Sequence, residues 1–207
     1  MQLKANSGFT LLELIITVVI LSIVMLIGIP SFRTLIADNR LTSQINEVSS
    51  VINFARSEAA KVQNETITVC PVDDAEAANP DCSGGTGWSD GWLVILDVNG
   101  DGDIDGGDGD RLLRLYQPLS GGNTMTVAGL SSNDGSLIQF EGNGFPVPPA
   151  LGGSAAGTIT ICDDRGAGSA RGIVVNVSGK PRLARDWDND GVPTTQSGNE
   201  RNGAREL

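Results

Sequence analysis

The chain has 207 residues, 14 Lys and Arg against 25 Asp and Glu, a formal net charge of -11, and no histidine. Without histidine, triads built on that residue and His-containing zinc sites are excluded, and so acidic a chain is not built for bulk attraction to nucleic acid. The 27 Gly, with only 4% aromatic residues, point to a turn-rich β domain rather than a helical bundle.

The first predicted element is apolar. From Phe9 to Ile29 the sequence "FTLLELIITVVILSIVMLIGI" carries one ionisable side chain, Glu13. A run of that length spans a bilayer as a helix, and a charge inside it implies a partner and a purpose. The run exceeds the apolar core of a signal peptide and no A-x-A-like site follows it, so it reads as an uncleaved anchor. Lys4, on the short side, orients the N-terminus to the cytoplasm and exports the rest.

Beyond Pro30, Leu41, Ile45, Val48, Ile52, Ala55, Ala59 and Val62 follow alternating spacings of four and three, one stripe of an amphipathic helix that needs a covering surface. Anchor and stalk together predict a rod from Phe9 to about Val62, roughly 54 residues or about 80 Å, loosened or kinked at Gly28 and Pro30. From Glu65 onward, short β-type runs alternate with Gly, Asp, Asn and Pro. They predict strands near 66–70, 92–97, 111–116, 124–128, 137–141, 158–162, 172–177 and 181–185. No connection is long enough for a helical crossover, so the sheet is expected to be mainly antiparallel. The expected class is α+β, a long N-terminal helix (membrane span plus amphipathic stalk) packed on a C-terminal mainly antiparallel β domain.

Three cysteines, Cys70, Cys82 and Cys162, sit in a part of the chain placed in the periplasm, where disulfides persist. Cys70 and Cys82 flank a small-residue loop and form the preferred pair; closing that loop contributes about 3 kcal/mol in the chain-entropy model. Cys162 facing Cys70, or buried free thiols, are the alternatives. The stretch "DVNGDGDIDGGD" places Asp97, Asn99, Asp101, Asp103, Asp105 and Asp108 at the spacing of oxygen ligands for a hard cation, with calcium the candidate cofactor. The twelfth position holds Asp rather than a bidentate Glu, and a solvated acidic hairpin is the alternative. No cofactor is otherwise expected, and no residue set suggests an enzyme.

The opening segment has a short polar leader, then Gly8, then Phe9-Thr10-Leu11-Leu12-Glu13, then the apolar run with Pro30. It resembles the prepilin signature of type IV pilins and type II secretion pseudopilins. The resemblance implies that a prepilin peptidase cuts between Gly8 and Phe9 and methylates the new amine. Residues 1–8 are then a cleaved leader, 9–30 the transmembrane half in contact with lipid, and 31–64 the stalk. Glu13 would pair with the Phe9 amine of a neighbouring subunit, an interaction that matters far more at low dielectric than at a surface.

"TVCPVDD", "GWSDGWLVILDVNGDGDIDGGDGDRLLRL" and "GTITICDD…ARGIVVNVSGKPRLAR" look like the GspH/FimT group of minor pilins and minor pseudopilins. The resemblance covers about 9–185. It implies a β domain over 65–190, with 191–207 a flexible tail. The last turn of the group more often reads Gly-Arg-x-Arg; here Lys180 replaces the first Arg. Some pilins of the group bind DNA through this turn, which makes Lys180, Arg182 and Arg185 candidate contacts. Asp186, Asp188 and Asp190 follow at once, so a salt-bridged strand end is the preferred reading.

Three functions follow from the resemblance. The first is a structural minor pilin that primes or caps a type IV pilus. The second is a minor pseudopilin of type II secretion, and the third a DNA-binding pilin in transformation. The expected location is the inner membrane, with the domain in the periplasm and then in a pilus or pseudopilus. The implied partners are the prepilin peptidase, the other minor pilins, the major pilin and the inner-membrane assembly platform.

Overall fold

The computed structural model describes residues 9–62, 64–104, 107–132, 134–149, 152 and 155–185. Packing divides the chain at Asn39–Arg40 into two units. Helix α1, Leu11–Ala59, is continuous through Gly28 and Pro30. It begins two residues later than the apolar run because Thr10 caps it. It ends three residues before Val62 because Lys61 and Val62 close i→i+3 bonds to Glu58 and Ala59 (2.9 and 3.1 Å), the tightening usual at a helix C-terminus.

All eight predicted strands are present: β1 Thr66–Pro71, β2 Trp92–Asp97, β3 Arg111–Tyr116, β4 Thr124–Gly129, β5 Ile138–Phe140, β6 Gly157–Cys162, β7 Arg171–Val175 and β8 Pro181–Leu183. They form two four-stranded sheets, in the orders β3-β2-β1-β5 and β4-β6-β7-β8, and every pairing is antiparallel.

In the second unit, alternation along the strands delivers one core. Ile67, Val69, Trp92, Val94, Leu96, Ile138 and Phe140 come from the first sheet, and Met125, Val127, Ile159, Ile161, Ile173 and Val175 from the second. They meet Leu41, Ile45, Val48, Val51, Ile52, Ala55 and Ala59 of α1. The helix therefore buries the expected stripe from Leu41 to Ala59, with Val51 and Gln44 added, while Val62 lies beyond its end and is half-buried. Burial of each large apolar side chain stabilises by about 1.5–3 kcal/mol.

The first sheet is covered on its other face too. Cys70, Leu93 and Ile95 pack with Val72 and Ala75 of the loop after β1, and Cys82, Ile104 and Leu115 lie against them. That second cover explains why β2, "WLVILD", is buried at all six positions and reads as an unbroken apolar run. The outer edge strand β3 carries a bulge where the register shifts between Val94 and Ile95. With exposed Arg111 and Arg114, these are devices that discourage pairing with a foreign strand.

"W-S-D-G-W" ties the two sheets together. Trp88 is 1% exposed and its Nε1–H donates to the Gly135 carbonyl at 2.6 Å. Ser89 Oγ accepts from Met125 N–H on β4 (3.0 Å). Gly91 has φ +112, and a Cβ there would stand 2.6 Å from the Tyr116 carbonyl, so only glycine fits. Trp92 then stacks on Tyr116 with ring centroids 5.5 Å apart.

Candidate functional site: the helix start and two turns of the β domain

In the first unit the functional candidates lie at the helix start. Thr10 precedes α1 and its Oγ1 accepts from Glu13 N–H at 3.2 Å, the geometry of an N-cap. Thr10-Leu11-Leu12-Glu13 is also a capping-box sequence, which the reading of Glu13 as an intersubunit partner overlooked. Glu13 is therefore at the third helical position, where a carboxylate complements the helix dipole. Phe9 is 82% exposed; Gly8 lies outside the described residues. From Leu11 to Ile36 every residue is exposed. At about 1.5 Å per residue that stretch is about 39 Å long, against about 30 Å of bilayer hydrocarbon, and the helix is long and apolar enough to cross a membrane.

In the second unit, Cys70 and Cys82 form a disulfide across a Cα–Cα distance of 5.6 Å. Cys162 is a buried free thiol, with its pKa pushed up by burial and by the neighbouring Asp163 charge. Asp163 itself is buried, which opposes ionisation. Hydrogen bonds and an ion pair from Arg165 (2.7 Å), with the charge of Arg40, nevertheless hold its pKa below the ordinary value.

The acidic turn is more than a solvated hairpin. Asp97 is fully buried. One of its oxygens accepts from Gly100 N–H (2.6 Å). The other accepts from the Thr68 hydroxyl (2.7 Å), Gly102 N–H (3.0 Å) and Gln139 Nε2 (3.4 Å). Asn99 donates to Asp101 and Asp108 (2.9 and 2.8 Å). Oxygens of Asp97, Asp101 and Asp110 gather within 4.8 Å of one another, so Asp110 joins a group that the sequence spacing ended at Asp108. Asp103 turns instead to the disulfide loop, where a hydrogen bond shared with the Asp81 carboxyl raises its pKa and Ile104 N–H reaches Asp81 Oδ1 (3.3 Å). Asp105 lies outside the described residues.

The basic turn is built around Asn176, whose Oδ1 accepts from Ser178 N–H, Ser178 Oγ and Lys180 N–H at 3.2, 2.8 and 2.9 Å. Arg56 of α1 donates to the Ser178 carbonyl (3.1 Å). Gly179, φ +73, is buried 2.9 Å from the Gly144 carbonyl as measured from a Cβ placed on it. Lys180, Arg182 and Arg185 are exposed. Arg171 is spent on the Ser169 and Ala170 carbonyls (3.4 and 3.2 Å). Asp186, Asp188 and Asp190, the expected salt-bridge partners, lie outside the described residues.

One cluster had no sequence-level signal beyond a polar residue on an apolar stripe. Gln44 accepts from Asn123 Nδ2 (2.6 Å) and donates to the Ser120 carbonyl (3.1 Å), while Arg40 Nη2 reaches Asn123 Oδ1 (3.3 Å). It fixes the 120–123 turn on the helix.

Compared with known families, residues 3–29 match the prokaryotic N-terminal methylation motif and residues 44–179 match the family described as type II transport protein GspH. The chain belongs to the GspH family. Pilin-family proteins are structural rather than catalytic, and the N-terminal motif with its long apolar helix suggests membrane anchoring. Two fimbrial proteins of Pseudomonas aeruginosa are each 34% identical to it over 71 residues, 34% of this chain. The chain spans about half the length of these curated relatives, 46% of each. The crystal structure of the P. aeruginosa type IV minor pilin FimU superimposes with a TM-score of 0.51 at 22% identity, covering 71% of this chain and 90% of that one. The GspH-family domain thus has a pilin fold.

Proposed function

We propose that this chain is a minor pilin that primes assembly of, or caps, a type IV pilus. The observation that carries the proposal is a methylation motif at residues 3–29 on a helix exposed from Leu11 to Ile36, in a chain whose fold matches that of a minor pilin. A prepilin peptidase removes residues 1–8, leaving Phe9 as a methylated N-terminus. Residues 9–30 rest in the inner membrane, the 31–64 stalk and the 65–190 domain stand in the periplasm, and 191–207 is the tail. Glu13 receives the Phe9 amine of a neighbour, and the assembly platform lifts the subunit out with other minor pilins and the major pilin.

Deletion of the gene is expected to abolish surface pili while leaving secretion of folded exoproteins intact. Lost secretion with normal piliation would instead establish the pseudopilin reading, which the match to the type II transport protein GspH family favours. Mass spectrometry is expected to find Phe9 as the mature N-terminus. Gly8→Val is expected to retain the leader while still inserting; an intact Met1 in wild-type membranes overturns the processing step.

For the acidic turn we propose calcium as the ligand of the Asp97, Asp101 and Asp110 oxygens, extracellular modules of this kind binding at about 10⁻⁴–10⁻³ M. A tenfold excess over Kd stabilises by about 1.4 kcal/mol, so the domain is expected to melt higher in millimolar calcium than in chelator. Asp101→Asn with Asp110→Asn is expected to remove the difference. Equal melting temperatures overturn the proposal and leave Asp97 as an internal staple of the turn.

A further inference from the structure

The exposed stretch of α1 is longer than a bilayer needs. Leu11 to Ile36 is exposed throughout and measures about 39 Å against about 30 Å of hydrocarbon. Apolar length by itself therefore lets the helix slide by about six residues. Arg33 removes that freedom. It is the only ionisable side chain between Glu13 and Asp38, it is exposed, and among the described residues it has no hydrogen bond or ion pair. The positions three and four away hold Ile29, Pro30, Ile36 and Ala37, so its own helix offers no counter-charge. Apolar surface continues past it through Leu35 and Ile36, 54% and 50% exposed. The Thr34 hydroxyl between them and Arg33 donates to the Pro30 carbonyl at 3.2 Å, so that group is already satisfied and does not oppose burial.

We propose that Arg33 takes a phospholipid phosphate and so fixes the depth at which α1 sits in the bilayer. The inference rests on the membrane placement proposed above. A guanidinium presents a planar fork of donors that matches phosphate. Its apolar stem lies along lipid while the charged head reaches out of the hydrocarbon. The occupant is identified by charge and by length. An unpaired cation at the end of an apolar span meets an anionic head group there, and a neutral one offers it no counter-charge. With the Arg33 backbone at one edge of the hydrocarbon, the helix back to Glu13 covers about 30 Å, which is the other edge. The Glu13 carboxylate then stays hydrated in the opposite head-group layer until a neighbour's amine replaces the water. Without the Arg33 charge, Thr34, Leu35 and Ile36 follow the apolar surface inward and that register is lost.

The test places the full chain in bilayer nanodiscs of phosphatidylglycerol, with bromine at a series of acyl depths as quencher. Ile29→Trp, in a Trp187→Phe background, is the fluorescent reporter of depth. Trp88 and Trp92 are buried in the β domain and add only an unquenched background. Arg33→Gln and Arg33→Leu are each expected to carry the reporter about 4.5 Å deeper, the rise of three residues. Arg33→Lys is expected to stay within about 1.5 Å of the unmodified depth, one residue's rise, because an ammonium also binds phosphate. In acyl-brominated digalactosyl diacylglycerol, which has no phosphate, the chains with and without Arg33→Gln are expected to sit at one depth. Excess inorganic phosphate is expected to move nothing; a shift would assign the site to the free anion and overturn the lipid. A reporter quenched in phosphatidylglycerol at a depth indifferent to Arg33→Gln overturns this inference alone, as does an equal shift in the galactolipid. A reporter that is never quenched overturns the membrane placement as well.

Discussion

Glu13→Ala is expected to insert in the membrane at normal levels and yet be depleted from sheared filaments by two orders of magnitude or more. Insertion improves slightly, because a carboxylate costs about 2.5–3.5 kcal/mol at a helix centre and less near the end. Incorporation suffers because the Phe9 amine of the neighbour loses its counter-charge, and breaking one side of a buried pair costs about 3–5 kcal/mol. Two further variants separate this from the local role of Glu13 at the helix start. Glu13→Gln keeps a side-chain acceptor at the third helical position but no charge, and is expected to be depleted as severely as the alanine variant. Thr10→Ala removes the cap seen at 3.2 Å, a loss of about 1 kcal/mol, and is expected to assemble nearly normally. Normal recovery of Glu13→Ala in sheared filaments overturns the pairing.

Trp88→Ala is expected to be the most destabilising single change in the β domain, at about 3–5 kcal/mol. The side chain is 1% exposed at the junction of both sheets, and its loss also leaves the Gly135 carbonyl without its 2.6 Å donor. At about 2–4 °C per kcal/mol for a domain of this size, the melting temperature should fall by roughly 10 °C. Trp88→Phe keeps most of the apolar area and loses the hydrogen bond, about 1–3 kcal/mol. Denaturant titration of the domain from about Ile36 onward measures both; a loss below about 1 kcal/mol for the alanine variant would show that the junction is not held by this residue.

Most of the strands were legible because they pair β-branched residues with a Gly- or Asp-rich boundary, as "TITVC" and "GTITIC" do. Their division into two sheets was not, since pairing partners are set by long-range packing rather than by local pattern. On α1 the stripe from Leu41 to Ala59 was legible from its spacing, but Gln44 was not: a polar residue there is indistinguishable from a solvated one until Asn123 and Ser120 arrive from 76 or more residues away. The acidic turn shows a different limit. D-x-N-x-D-G has the same spacing whether its first carboxylate faces an ion or its own backbone amides, and Asp97 does bond the amides of Gly100 and Gly102. The Cys70–Cys82 pair was expected from the short loop that it closes, and the structure bears it out.

In a chain exported as proposed above, that disulfide also sets an order of events. The outer face of the first sheet, with Cys70, Leu93 and Ile95, is covered by the loop that Cys82 pins down. Thiols stay reduced until the chain reaches an oxidising compartment, so until then the loop is held over the sheet only by backbone pairing such as Val72 with Cys82 and Ser83 N–H to the Pro71 carbonyl. A newly exported subunit therefore passes through an interval in which its inner core can form while one apolar face is covered without its covalent link. The length of that interval is governed by the oxidant supply of the cell envelope and not by the folding rate of the sheets. Subunit yield should consequently follow thiol-oxidising capacity even where the finished domain is stable.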